Sequence, residues 1–120
     1  MSTIKADNIA TLAGVSTSMA NAVNGSAKAW VSFNGTGTVA IRASYNVSSI
    51  TDNGTGDYTV NFTTAMPDAN YSAFGGCGTY SRVFAGFTTP PTTTSMRMAV
   101  TISTTGVLED NSYMYAGVFR

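Results

Sequence analysis

Asn34-Gly35-Thr36-Gly37 and Asn53-Gly54-Thr55-Gly56 repeat one tetrapeptide nineteen residues apart, each copy between short runs of β-forming residues. Asn-Gly is the strongest short-range hairpin signal, because a type I′ turn needs φ > 0 at both central positions and these residues tolerate it. Two copies predict antiparallel strands that return at a regular interval.

The flanking residues agree. Ala29, Val31 and Phe33 alternate with Lys28, Trp30 and Ser32, so the second face of this strand is also partly covered. Val39 and Ile41 alternate with Thr38, Ala40 and Arg42 after the first turn, and Val47 to Thr51 reads as another short strand. Tyr58, Val60 and Phe62 alternate with Thr59, Asn61 and Thr63, the cleanest period of two in the chain. Met66-Pro67-Asp68 breaks the pattern. Tyr71 to Phe74 and Tyr80 to Thr88 read as strands around a glycine cluster, and Pro90-Pro91 as a loop. Met96, Met98, Val100 and Ile102 share one face of a long strand, and Tyr113 to Phe119 forms the last. The expected fold is all-β: a compact antiparallel β-sandwich or small barrel of about seven or eight strands.

Residues 1–26 have a different texture, with no aromatic residue and no proline. Leu12, Val15, Met19 and Ala22 follow the three-four spacing of a short coiled-coil seam, while Gly14 and the serines and threonines depress helix propensity. The expected division is an N-terminal arm over 1–26 for attachment and oligomerisation, and a β-domain over 27–120. The arm's candidate assembly residues are Ile4, Ile9, Leu12, Val15 and Met19. A frayed terminus is the competing expectation.

Composition narrows the function classes. Charged residues are 10 % of the 120 and cancel to zero, and Lys5, Lys28, Arg42, Arg82, Arg97 and Arg120 are scattered. Nucleic acid has no electrostatic handle on such a chain. Polarity comes from Ser, Thr, Asn and Gly, which suits surfaces that pack against copies of themselves or meet neutral sugars. No apolar run approaches the roughly 20 residues of a membrane helix. No secretory signal is visible at the N-terminus, so folding in a cytoplasm is expected. A single cysteine, Cys77, allows no intrachain disulfide.

The chain has no histidine, which removes the commonest general base and most zinc sites. Cys77, within Gly75-Gly76-Cys77-Gly78, has no activating base in view and reads as a small residue in a tight segment. Asp52, Asp57, Glu109 and Asp110 are not arranged as the facing carboxylate pair of a glycosidase, and Asp52-x-Asn-Gly lacks the remaining ligands of a calcium loop. The Asn-x-Ser/Thr triplets at Asn34, Asn46, Asn53, Asn61 and Asn70 are expected by chance in such a composition. No catalytic residue, metal or cofactor is assigned. Among the aromatic residues, Tyr80, Phe84, Phe87, Tyr113 and Tyr115 are candidates for stacking on sugar rings or closing a subunit interface, against ordinary core packing. Tyr80, Arg82 and Phe84 are the candidate receptor contacts, with Arg82 the most plausible exposed one.

Several segments carry a resemblance. Ala27-Lys28-Ala29-Trp30-Val31-Ser32-Phe33-Asn34-Gly35-Thr36-Gly37, the stretch from Ser48 to Phe62, Met66-Pro67-Asp68-Ala69-Asn70-Tyr71, the opening Met1-Ser2-Thr3-Ile4-Lys5-Ala6-Asp7 and the ending Ala116-Gly117-Val118-Phe119-Arg120 are similar to segments of tail-fibre and related virion proteins of tailed bacteriophages, many from aquatic hosts. The similarity is strong over 27–71 and at both ends, and weak over 72–115. It implies a small β-domain assembled as a homotrimer in a virion, in contact with other virion proteins and with host-surface polysaccharide. This chain differs in having almost no shaft before the domain. A tail appendage and a capsid decoration (cement) protein of the head both suit that length. Either would sit on the virion, on the tail or the outer capsid surface, after assembly in the host cytoplasm, with no membrane insertion.

Overall fold

The computed structural model describes residues 3, 5–87 and 89–120. Among them the chain forms a β-sandwich of two four-stranded antiparallel sheets, preceded by a two-stranded hairpin and one short helix. In chain order the elements are β1 (Asn8–Ala10), β2 (Ser16–Ser18), α1 (Met19–Asn24), β3 (Ala27–Asn34), β4 (Ala40–Tyr45), β5 (Val47–Gly54), β6 (Asp57–Phe62), β7 (Ser72–Cys77), β8 (Arg82–Phe87), β9 (Ser95–Ile102) and β10 (Met114–Phe119). One sheet runs β4-β3-β10-β7 and the other β5-β6-β9-β8. The two sheets are separate, so the architecture is a sandwich and not a closed barrel.

The period-two pattern accounts for the core. Ala29, Val31 and Phe33 of β3 and Met114, Ala116 and Val118 of β10 point inward from the middle of one sheet. Tyr58, Val60 and Phe62 of β6 and Met96, Met98 and Val100 of β9 meet them from the middle of the other. Each valine, methionine and phenylalanine among them contributes about 1.5–3 kcal/mol by leaving water. Phe33 and Tyr58 meet edge to face at 5.3 Å between ring centroids, joining the sheets where both NGTG turns lie. The expected alternation of β4 buries nothing, for all six of its residues are exposed. It is an edge strand that overhangs the core.

Both NGTG copies connect hairpins, yet neither adopts the expected type I′ geometry. Positive φ falls on the second glycine of each copy, Gly37 at 60° and Gly56 at 64°, and in the second copy also on Gly54 at 130°, while neither Asn34 nor Asn53 is left-handed. The asparagines act through their side chains. Asn34 Oδ1 accepts from the Thr36 amide at 3.1 Å while its Nδ2 donates to the Thr36 carbonyl at 2.9 Å, closing an Asx turn. Asn53 donates to Thr59 Oγ1 at 2.8 Å. A side chain spent on local hydrogen bonds competes with the left-handed backbone, and here it wins.

Between β4 and β5 the chain passes from one sheet to the other through a single residue, Asn46. Its φ is 54°, a region that asparagine tolerates better than most side chains. Its amide donates to the carbonyls of Lys28 and Thr64, each at 3.1 Å, and accepts from the Thr64 amide at 2.7 Å.

The N-terminal segment corrects the coiled-coil expectation. Residues 8–18 form a hairpin, with Ile9 opposite Thr17, and Gly14 at φ 82° turns the chain. Only Met19–Asn24 is helical, capped by the Ser18 hydroxyl, which accepts from the Asn21 amide at 3.1 Å. A left-handed glycine between Leu12 and Val15 ends any helical seam through them. Ile9, Leu12, Val15 and Val23 are exposed, so no core of the chain's own covers the arm. Ile4 lies outside the described residues.

Candidate functional site

The register sorts the connections to two ends of the sandwich. Met114 pairs with Phe33 and with Cys77, and the Ser103 amide donates to the Ser81 carbonyl at 3.0 Å. Residues 35–39, 55–56, 78–81 and 103–113 therefore share one end. Asn46, residues 63–71 and the two termini of the domain share the other, where Phe119 pairs with Ala27. The arm thus enters at the end opposite the loops.

A polar clamp orders the loop end. The single phenolic proton of Tyr58 lies between the Gly35 carbonyl at 2.7 Å and Asp110 Oδ1 at 2.9 Å. The same Asp110 oxygen accepts from the Gly56 amide at 2.7 Å, and the Asn111 carbonyl accepts from the Gly35 amide at 2.9 Å. Burial, and then the Asp110 carboxylate beside it, push the Tyr58 phenol well above its ordinary range. Both NGTG loops are thereby tied to residues 109–111 of the β9–β10 connection, although they belong to different sheets.

The charged side chains of the sandwich are committed. Arg97 holds Asp57 by two hydrogen bonds of 2.9 and 2.8 Å, and Arg120 holds Asp68 by two of 3.0 and 2.7 Å. Arg82 pairs with Glu109. The Arg42 guanidinium lies 4.7 Å from the centre of the Tyr113 ring and donates to the Ser112 carbonyl. Among the described residues, no three histidine, cysteine or carboxylate side chains group as a metal site would need. Nor is any described helix long and apolar enough to cross a membrane.

The three candidate receptor contacts do not come together as one exposed patch. Tyr80 stands at the loop end with 93 % of its surface open. Arg82, at the start of β8, is only partly exposed and engaged with Glu109. Phe84, two residues on along the same face of β8, packs against the core near Gly75 and Met98.

The surface that sequence reasoning missed lies on the outer face of the β4-β3-β10-β7 sheet. Trp30, Phe74 and Tyr115 are 42, 55 and 43 % exposed there. With Phe119 they surround a shallow concavity of about 420 Å³ whose floor is made by Gly76 and Gly117. Phe74 and Phe119 stack at 5.5 Å with their planes 19° apart. A Cβ on Gly117 would lie 3.3 Å from the Phe74 ring, which would have to give by a few tenths of an ångström. Tyr45, 58 % exposed, continues the row beyond Trp30, its partner across β3–β4. The other sheet's outer face is polar by contrast: Asn61 donates to Ser49 Oγ at 3.1 Å and to Thr51 Oγ1 at 2.9 Å, beside the Asp57–Arg97 pair. The available signal was Trp30 set among inward-facing Ala29 and Val31, which places an indole on the solvent face. Its companions are remote in sequence and only the strand pairing assembles them.

The arrangement offers aromatic faces, a glycine floor and clamped loops. No known protein family, characterised protein or solved structure matches the chain.

Proposed function

We propose that this chain is a non-enzymatic structural component of a bacteriophage virion, a tail appendage that assembles as a homotrimer and turns its loop end toward the host surface. The observation that carries this reading is the polarity of the sandwich. The arm enters at one end, and residues 78–81 and 103–113, with Tyr80 and Tyr113 exposed, lie at the other. An attachment segment and a recognition surface must be separated in this way if both are to be used at once. The resemblance of residues 27–71 and both ends to tail-fibre proteins supports the same reading. A host-surface polysaccharide is the partner class that aromatic loops with few free charges suit.

The exposed apolar residues of the arm favour one alternative, a decoration protein whose arm clamps neighbouring capsomers of the phage head. Two measurements test the proposal. Deleting residues 1–26 is expected to leave the sandwich folded and to abolish incorporation into virions. Purified full chain is expected to adsorb to host cells and antibody against it to label the tail. Labelling of the head, at the high copy number of a shell protein and without adsorption, would establish the alternative instead.

A further inference from the structure

We propose that the aromatic cradle formed by Trp30, Phe74, Tyr115 and Phe119 is the seat of another copy's N-terminal arm, so that copies of this chain join by exchanging arms. The inference deepens the reading of the chain as a self-assembling appendage by naming the two surfaces that meet.

Three observations lead to this pairing. The first is that two of the apolar surfaces the chain leaves open are of similar size. The cradle aromatics and Tyr45 leave on the order of 400 Å² uncovered, taking roughly 200 Å² for each whole side chain. Ile9, Leu12, Val15 and Val23 of the arm add roughly 300 Å². A chain that lends its arm to one copy and receives the arm of another covers both, roughly 700 Å² of apolar surface per chain over its two contacts. Covering the cradle alone reaches about half of that.

The second observation is the hinge. The Val23 carbonyl, in the last turn of α1, accepts from Ser26 Oγ at 2.9 Å and from Lys28 Nζ, and the Gly25 amide donates to the Asn21 carbonyl at 2.8 Å. These bonds set the exit direction of the arm at the start of β3. The hairpin and α1 pack on each other and make no substantial contact with any strand of the sandwich. The molecule is accordingly long, 50 by 29 by 24 Å. An arm held away from its own sheet reaches a neighbour's.

The third is the chemistry of the lining. Of the side chains around the cradle, polar atoms occur only on the Trp30 indole and the Tyr115 hydroxyl. A sugar ring stacked here needs several hydrogen-bonding groups at its edge to replace water. Branched aliphatic side chains need none. The surface also carries no charge that would be desolvated when an apolar segment docks.

The test uses the full chain in a Cys77→Ser background. One preparation carries Leu12→Cys and a second, distinguishable by a tag, carries Phe74→Cys. The two are mixed at a concentration where light scattering shows assembly and treated with a short bifunctional maleimide. The expected product is a cross-link between the unlike chains, formed in large excess over like-with-like products. Trp30, the single tryptophan, is expected to show an emission blue shift as protein concentration rises. Gly76→Leu is expected to abolish both signals, because open space lies above that glycine and the new side chain occupies the cradle without disturbing the sheet. Like-with-like cross-links alone, or assembly unaffected by Gly76→Leu, would overturn the proposal. So would a chain that stays monomeric at every concentration, including one whose Trp30 emission saturates with a neutral oligosaccharide, which would reassign the cradle to sugar. These readouts use purified protein, so they stand or fall independently of where the chain sits on a virion.

Discussion

The Tyr58 hydroxyl lies 2.9 Å from Oδ1 of Asp110, fifty-two residues further along the chain. Through that contact a core strand of one sheet holds the long connection that leads into the other. The Gly56 amide shares the same carboxylate oxygen. The loop end is therefore ordered from within the core, by a buried phenol, as well as by contacts among the loops.

Tyr58→Phe keeps the ring against Phe33 and removes the hydroxyl. The Gly35 carbonyl and the Asp110 carboxylate then lose a buried donor, which is expected to cost about 1–3 kcal/mol. Urea denaturation should show a lower midpoint with an unchanged slope. Amide exchange should accelerate at Gly35 and Gly56, the two loop amides held by the same clamp.

Gly35 and Gly37 belong to one turn and are required for different reasons. A Cβ on Gly35 would lie 2.5 Å from the Tyr58 hydroxyl and 2.8 Å from the Asn111 carbonyl, while one on Gly37 would meet open space. Gly37 has a positive φ, which costs an L-residue about 1–2 kcal/mol. Gly35→Ala is expected to cost more, up to about 3 kcal/mol, because the clamp must open to admit the methyl group. Thermal unfolding of the two variants ranks them. An equal loss would show that backbone conformation, and not the close approach, governs the turn.

Asn46→Ala removes three hydrogen bonds and leaves a side chain with no compensation at φ 54°. A loss of about 2–4 kcal/mol is expected. Asn46→Gly removes the same bonds but relaxes the backbone, so it should be the milder change in the same denaturation experiment. The ordering separates the two contributions at the one-residue crossing between sheets.

The pH profile has an acid limb and an alkaline limb. The Arg120 guanidinium holds the Asp68 carboxyl down at about 2, and that of Arg97 holds Asp57 below its ordinary 3.8. Groups whose pKa falls on folding contribute stability that is complete above their unfolded value and lost as pH falls through the folded one. Stability should decline from about pH 4 toward pH 2. Tyr58 and Tyr71 are raised by burial above their ordinary 10.0, so their contribution is complete below that pH and lost above it. The chain has no histidine, so the profile between the limbs should be flat. Arg120→Ala should make the acid limb shallower and leave the alkaline limb in place, as followed by circular dichroism.

What the sequence made legible was local. The alternations of Tyr58–Val60–Phe62 and Met96–Met98–Val100 announced buried strand faces because period two is a backbone property. The arm misled, since a three-four spacing over so few residues fits a hairpin with a glycine turn as readily as a helix. Both Asn-Gly pairs marked turns, but the competition between side-chain hydrogen bonds and left-handed backbone was settled only in three dimensions. The cradle was invisible for a different reason. Trp30, Phe74 and Tyr115 become neighbours only because β10 lies between β3 and β7, a pairing no short window contains.

Ala27 and Phe119 face each other across neighbouring strands. The two polypeptide ends of the sandwich thus leave side by side, a geometry that tolerates insertion into another protein. Spliced into a surface loop of a carrier, the domain would stretch neither chain. Residues 103–113 would point away from that carrier, leaving a clamped loop open to redesign while the ends remain joined.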